Sequence, residues 1–591
     1  MGHGVVSVAT TWAAMVAAMI RDYSDDPVLC ERDGDVWRPT SWGDFGKRIS
    51  AIGEAALTRG FGHGDVACIL GATSGDWLII DSALVSVGMI SAGVYPTEPP
   101  ERLAYILNDS GARLLFVDSA AQLAKARAIV TECPVLECIV TVGFRSDGGT
   151  SVPEIALEDW IADASPEAAA FDDARSRVAP GDGAILIYTS GTTGPPKGAL
   201  ISQGAIAWQV RHSAPLYFPE RGWVRPAFLP LCHIGERYFT FFGMCGGAVA
   251  HMVREPSALG GAVVDMRPQF ILAVPRVYEK LREALETAIA LTPIEGLDDA
   301  IVRGRAIAAR HLAGHDAPIT LDQRRADDAA ALGAARRALG LDRAELLVSG
   351  GASFAPDLLH WFLALGIPLL EMYGMSEAGT IASNRPGAIR AATVGPVCDF
   401  AEVMIRPSGE IAVRGPGLFS RYWNKPEATA AAFDGDWFLT GDIGRLDEQG
   451  HLRIVGRLKD IFITSGGKNI SPTEIESRLK QSPLIHDAVA VGDGRKFVSA
   501  LLLIDDAVVR RTLGVTGDLA ELARHPDVLA ALDSEVARAN ATLSHVEQVK
   551  RYRVVPRALG ADSPELTPTL KLKRAALFAS FGALIEEMYA P

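Results

Sequence analysis

Cysteine is scarce in this chain: seven in 591 residues, and they are scattered. Cys133 and Cys138, with four residues between them, come nearest to a pair, and no CxxC occurs. Neither a disulfide framework nor a zinc knuckle is therefore indicated, and a reducing, cytoplasmic setting fits. Excess basic charge is missing as well. Lys and Arg number 57 against 71 Asp and Glu, a net charge of -14. No basic stripe is available to neutralise phosphates, which argues against a nucleic-acid binder. Long apolar runs are also absent. The longest, FTFFGMCGGAVAHMV from Phe239, contains glycines and falls short of the ~20 residues that a spanning helix needs. It reads as buried core or pocket wall. The apolar N-terminal segment lacks a basic n-region, so residues 12–20 predict an amphipathic helix rather than a signal peptide. Peripheral membrane contact stays open, as does the oligomeric state. No internal repeat is visible.

What is present is an ordinary globular composition, 48% hydrophobic and 22% charged, in a chain too long for one core. DVACILGA from Asp65 reads as a buried strand. DWLIIDSALVSVGMISAGVYP and RLAYILNDSGARLLFVD each read as a helix followed by a strand. Such alternation predicts mostly parallel α/β sheets. Residues 163–183 read as a polar surface linker, and 276–341 as a helical region. From Ala392 the texture changes to short strands with glycine turns, which predicts a small β-barrel over about 392–458. After Arg457 a separate strand and helix pattern follows. The predicted fold class is α/β: a large N-terminal domain, 1–458, of parallel α/β sheets plus the small barrel, then a small α+β domain, 459–591.

One stretch carries chemistry on its face: IYTSGTTGPPKGALIS, residues 187–202, directly after an apolar run. Glycines such as Gly191 and Gly194 bring bare N–H groups close to a ligand. The hydroxyls of Thr189, Ser190, Thr192 and Thr193 add donors, and Lys197 adds a charge, a set suited to phosphate oxygens. A P-loop, GxxxxGK[ST], does not fit, because Lys197 lies between Pro196 and Gly198. In open α/β sheets ligands sit at the carboxyl ends of strands. The strand ends at Thr189, Ser349 and Tyr373 are therefore expected to face one crevice.

The stretch YTSGTTGPPKG resembles the signature of the adenylate-forming (AMP-binding) superfamily. It is joined in the family's order by YGMSE from Tyr373, TGD from Thr440, GRLKD from Gly456, GGKNISPTEIE from Gly466 and PTLKLKR from Pro568. The resemblance implies activation of a carboxylate by ATP with release of pyrophosphate, then acyl transfer to a thiol. It places Lys571 as the catalytic lysine, although Leu570 stands where many members have Gly. It places Asp442 and Arg457 on the ribose, and Tyr373 against adenine, with Gly350, Gly351 and Ala352 opposite and Glu371 and Gly374 on the same strand. Glu377 becomes the Mg²⁺ ligand, with Ser376 keeping a hydroxyl for phosphate. Lys459 matches the hinge about which the small domain turns, and Gly466 and Gly467 match the loop that admits the pantetheine arm of CoA.

HIGER from His233 is close to the HxxER of long-chain acyl-CoA synthetases, a position assigned to the acyl-pocket wall. AVPRVYEK from Ala273 and the helical insertion that follows resemble long-chain and bubblegum-type members. Gly243, Gly246 and Gly247 are expected to leave room beside the backbone for an acyl chain. No charged residue lies between Phe239 and Ala250, which disfavours dicarboxylates and amino acids. The expectation is an ATP-dependent long-chain fatty acyl-CoA synthetase using ATP, Mg²⁺ and CoA. Its rivals are a ligase that loads a separate carrier protein, an aryl or medium-chain synthetase, and a nucleotide-binding protein without catalysis.

Overall fold

Runs of β-branched and aliphatic residues can be buried on both faces only where helices cover both sides of a sheet, and parallel strands require such crossovers. In a computed structural model, which describes residues 9–162, 168–189, 195–312, 324–326, 328–352, 356–386, 388–390, 392–465, 468–560, 563–566 and 572–590, Val66–Leu70, Ile90–Val94, Ala112–Val117, Cys138–Thr141 and Gly183–Thr189 form the parallel body of an eight-stranded sheet. One edge is antiparallel: Lys197–Ser202 folds back on Gly183–Thr189, and Arg421–Tyr422 pairs with it from far along the chain.

Two four-stranded sheets complete the large part. One runs Val224–Ala227, Val249–Met252, Pro27–Asp33, Val36–Ser41, and the other Phe270–Ala273, Leu346–Ser349, Leu369–Met375, Gly379–Ser383. Gln269 joins them. Its N–H donates to the Val224 carbonyl at 3.1 Å, and its side-chain oxygen accepts from the Val224 N–H at 2.8 Å.

The glycine-rich region after Ala392 forms a five-stranded antiparallel unit that contains Glu402–Ile405, Glu410–Arg414, Trp437–Leu446 and Leu452–Arg457. Bridges from Pro396 to His451 and from Ala382 to Val397 tie it back to the preceding sheet. Beyond residue 459, Ile485–Val491, Val498–Ile504 and Val549–Val554 make a three-stranded sheet. Apolar clusters cover its two faces. One includes Leu502, Leu532 and Ile475, the other Leu501, Leu577 and Met588.

Two expectations change. The stretch read as a linker contains the helix Ala168–Ser176. Phe171, Ala174 and Val178, at intervals of three and four, are buried, and the Phe171 ring fills the space beside Gly53. The second concerns the run from Phe239. It lies in the helix Ile234–Gly246, which is buried around almost its whole circumference, with Phe241 stacked on Trp12 at 4.2 Å and Phe239 beside Tyr217 at 4.7 Å. The space beside its glycines is already taken. A Cβ on Gly246 would stand 2.5 Å from Phe218, one on Gly247 2.8 Å from Arg221, and one on Gly243 3.5 Å from both Arg225 and Phe218. Gly246 and Gly247 thus admit the protein's own side chains, while at Gly243 a Cβ would meet them only at ordinary contact distance.

The residues after His233 are structural for a related reason. Glu236 pairs with Arg225, and Arg237 with Asp81, all fully buried. Thr240 and Ser91 add hydrogen bonds to the two guanidinium groups. Deleting one partner of such a pair strands a charge in the interior and typically costs about 3–5 kcal/mol. Among the described residues no helix is long and apolar enough to cross a membrane.

Candidate active site

The TGD triplet sits inside the long strand Trp437–Leu446, and its turn is locally enforced. Gly441 has φ +69°, a backbone region that side chains disfavour. Its N–H donates to the buried Glu410 carboxylate at 3.1 Å. The Thr440 hydroxyl donates to the Ile411 carbonyl at 2.8 Å and accepts from the Asp442 N–H at 3.1 Å. Asp442 is thereby fixed, 5% exposed. Its Oδ2 accepts from the Tyr373 hydroxyl at 2.7 Å, and its Oδ1 lies 3.1 Å from Arg457 Nε, the residue opposite it in strand register. Burial raises the Asp442 carboxyl above the usual range, and Arg457 and Tyr373 act against that rise.

Tyr373 is carried by Leu369–Met375, where a register shift between Tyr373 and Gly374 breaks the regular ladder. A Cβ on Gly374 would stand 2.4 Å from the Gly379 carbonyl oxygen, so only glycine lets the two strands close there. Glu371 pairs in register with Ser349, and Gly350, Gly351 and Ala352 follow Ser349 directly. Gly350 packs on Met372, with a Cβ there 3.2 Å from Met372 Cγ. Ser376 lies half-buried in the turn after the strand.

Glu377, one residue further, is 8% exposed and accepts from the Tyr422 hydroxyl at 2.9 Å. Burial raises its carboxyl too. The Tyr422 hydrogen bond and the Arg457 charge lower it, while the Asp442 charge raises it. Lys197 Nζ stands 5.1 Å from the Tyr422 ring centroid, and Thr189 faces Lys197 across the hairpin. Lys459 occupies the turn Leu458–Asp460 just past Arg457. Its ammonium is lowered by partial burial and by the like charge of Arg457, and Lys197 acts on it in the same direction.

The fold therefore brings Tyr373, Glu377, Asp442, Arg457, Lys459 and Lys197 near one another, with Thr189 paired to Lys197, Ser376 beside Glu377, Glu371 and Gly374 on the strand of Tyr373, and Gly350, Gly351 and Ala352 after the adjoining strand. His233 caps the helix Ile234–Gly246, its Nδ1 accepting from the Gly235 N–H at 3.0 Å. Ser190, Gly191, Thr192, Thr193, Gly194, Gly466, Gly467 and Lys571 lie outside the described residues. Sequence reasoning missed Tyr422 and Glu410. Tyr422 had one available signal, its place in RYWNKPEAT, an aromatic-rich stretch between the short strands.

A Mg²⁺ ion needs hard oxygen donors, and one or two carboxylates suffice when phosphate oxygens supply the rest. Glu377 fits that requirement: it is a buried carboxylate whose ionised form a cation would favour. Among the described residues no group of three or more His, Cys, Asp or Glu forms a metal cage.

Comparison with known proteins agrees with this geometry. Residues 16–423 match the family described as AMP-binding enzyme, and residues 459–591 match the AMP-binding enzyme C-terminal domain. The chain is 32% identical over 590 residues to the long-chain-fatty-acid–CoA ligase FadD15 of Mycobacterium tuberculosis, covering 97% of each chain. It is 28% identical to the long-chain-fatty-acid–CoA ligase ACSBG1 of Homo sapiens, over 96% of this chain and 83% of that one. Among solved structures, the carboxylic acid reductase A-PCP didomain from Segniliparus rugosus in complex with AMP shares the fold at TM-score 0.77 and 19% identity, over 100% of this chain and 83% of that one. The anthranilate CoA ligase AuaEII does so at 0.75 and 20%, over 98% and 99%. The chain belongs to the AMP-binding enzyme family, the adenylate-forming enzymes whose motifs its sequence carries in order.

Proposed function

We propose that the chain is an ATP-dependent long-chain fatty acid–CoA ligase. The observation that carries this reading is the grip on Asp442: a buried carboxylate, held by Tyr373 and Arg457, whose charge acts on the buried Glu377. An ionised carboxylate has about four acceptor sites, so Asp442 retains capacity for both ribose hydroxyls. Tyr373, with Gly350 to Ala352, would flank adenine. Lys197 and the hydroxyls of Thr189, Ser190, Thr192, Thr193 and Ser376 would meet the phosphates. Glu377 would hold Mg²⁺, which when bound would neutralise phosphate charge.

In the first half-reaction a carboxylate oxygen attacks the α-phosphorus, the bond to the bridging oxygen breaks, and pyrophosphate leaves. Lys571 would lie between the two anions. In the second, the CoA sulfur attacks the acyl carbon and AMP departs, with residues 459–591 turned about Lys459 so that Gly466 and Gly467 line the thiol's path. Two contacts and one longer-range charge interaction support docking of the C-terminal part in the present orientation. Arg276 Nη2 lies 3.7 Å from Asp505 Oδ2. The Ser471 hydroxyl donates to the Val455 carbonyl at 2.9 Å. The charge of Lys573, two residues past Lys571, acts on Glu98. The full-length relatives named as long-chain-fatty-acid–CoA ligases support the substrate class.

Asp442→Ala tests the nucleotide assignment. Two hydrogen bonds to a charged acceptor are worth about 3 kcal/mol together, so the KM for ATP should rise about a hundredfold while the KM for the acid holds. An unchanged ATP KM in ATP–pyrophosphate exchange would remove Asp442 from the nucleotide site.

A further inference from the structure

The crevice has a support that none of the motifs includes. Asp109 is the penultimate residue of the helix Pro100–Ser110, and its side chain is 7% exposed. Oδ2 accepts from the Tyr188 hydroxyl at 2.9 Å. Oδ1 lies 2.6 Å from Lys425 Nζ and 3.4 Å from the Tyr105 hydroxyl. The single Tyr105 proton has a nearer acceptor, the Pro196 carbonyl at 2.9 Å. The Asp109 carbonyl accepts from Asn424 Nδ2 at 2.9 Å. That bond secures an unusual backbone, since Asn424 has φ +51°, a region that asparagine enters more readily than most residues. Between Asn424 and Tyr422, the Trp423 N–H donates to the Gly198 carbonyl at 2.7 Å.

Apart from Tyr105, each of these partners is a near neighbour in sequence of a candidate site residue. Tyr188 precedes Thr189, Pro196 precedes Lys197, and Asn424 and Lys425 follow Tyr422, whose hydroxyl binds Glu377 and whose ring lies under Lys197. We propose that Asp109 is a positioning residue for the phosphate-binding side of the site: its carboxylate ties Tyr188, on the strand that brings in Thr189, to Lys425, its carbonyl holds Asn424 in the segment that sets Tyr422 against Glu377, and Tyr105 on the same helix holds the Pro196 carbonyl just before Lys197. The charge pairs with Lys425 because a buried carboxylate needs a counter-ion, and the two tyrosines give the pair direction. Displacing any arm shifts Lys197 or Tyr422 relative to Glu377. This role rests on the reading of Lys197 and Glu377 as the phosphate and Mg²⁺ contacts.

Asp109→Asn keeps the shape and removes the charge, and Tyr105→Phe removes one hydroxyl from the same network. Both full-length variants would be assayed by ATP–pyrophosphate exchange, and separately by thioester formation from dodecanoyl-adenylate and CoA. A misplaced phosphate contact should raise the KM for ATP about tenfold in Asp109→Asn and shift the Mg²⁺ requirement upward. Tyr105→Phe should move both in the same direction by less. The KM for the fatty acid and the thioester step should stay within about twofold. An unchanged ATP KM, or equal losses in both half-reactions such as a general folding defect produces, would overturn the proposal. Absence of exchange in the unaltered protein would instead sink the ligase reading on which it stands.

Discussion

Lys571→Ala is expected to lower acyl-adenylate formation about a thousandfold and to leave thioester formation from ready-made adenylate nearly intact. The size follows from electrostatics. A carboxylate and an α-phosphate brought to about 4 Å repel by about 4 kcal/mol at an effective dielectric of 20. A positioned ammonium cancels that repulsion. The selectivity follows from the place of Lys571 in the chain, beyond the turn at Leu458–Asp460: on the proposed reading the thiol step would use another orientation of residues 459–591, with Lys571 withdrawn. Stopped assays of the two half-reactions, one with ATP and acid, the other with synthetic adenylate and CoA, check it. Equal losses in both would take the lysine out of the adenylating step.

Lys459→Pro should divide the half-reactions the opposite way. Proline locks φ near -65°, and a domain that turns about a few backbone torsions is arrested when one of them is fixed. On the proposed reading the orientation that the Arg276–Asp505 ion pair and the Ser471–Val455 hydrogen bond hold is the adenylating one, so adenylation should proceed in the variant. Thioester formation should fall about a hundredfold, because the turn becomes rate-limiting. Wild-type rates in both steps would place the pivot at another residue.

The parallel body of the fold was legible because its strands are short apolar runs alternating with helices, as at Val66–Leu70 and Ala112–Val117. The helix Ala168–Ser176 was hidden by its many Ala and Asp residues. Its buried residues Phe171 and Ala174, with Val178 just beyond its end, make too narrow an apolar face to stand out in a polar stretch. The ordered motifs led to Asp442, Tyr373, Glu377 and Arg457, which the fold brings together. What they omitted is long-range. Tyr422 meets Glu377 across 45 residues, Tyr188 meets Asp109 across 79, and Lys425 meets Asp109 across 316. No local pattern encodes such partners. The glycines of the helix Ile234–Gly246 misled for the converse reason: a missing side chain looks like room until the neighbour that fills it, Phe218 or Arg221, is placed. Glu236 and Arg237 likewise read as a motif, and their partners Arg225 and Asp81 make them a buried framework.

The most direct test of the ligase reading is the specificity constant for straight-chain acids from acetate upward, measured with ATP, Mg²⁺ and CoA, with aromatic acids such as cinnamate alongside. Each buried methylene contributes about 0.8 kcal/mol, so kcat/KM should climb with length and peak at roughly C12–C18, with acyl-CoA as the product. A highest specificity constant for acetate or for an aromatic acid would contradict the long-chain assignment.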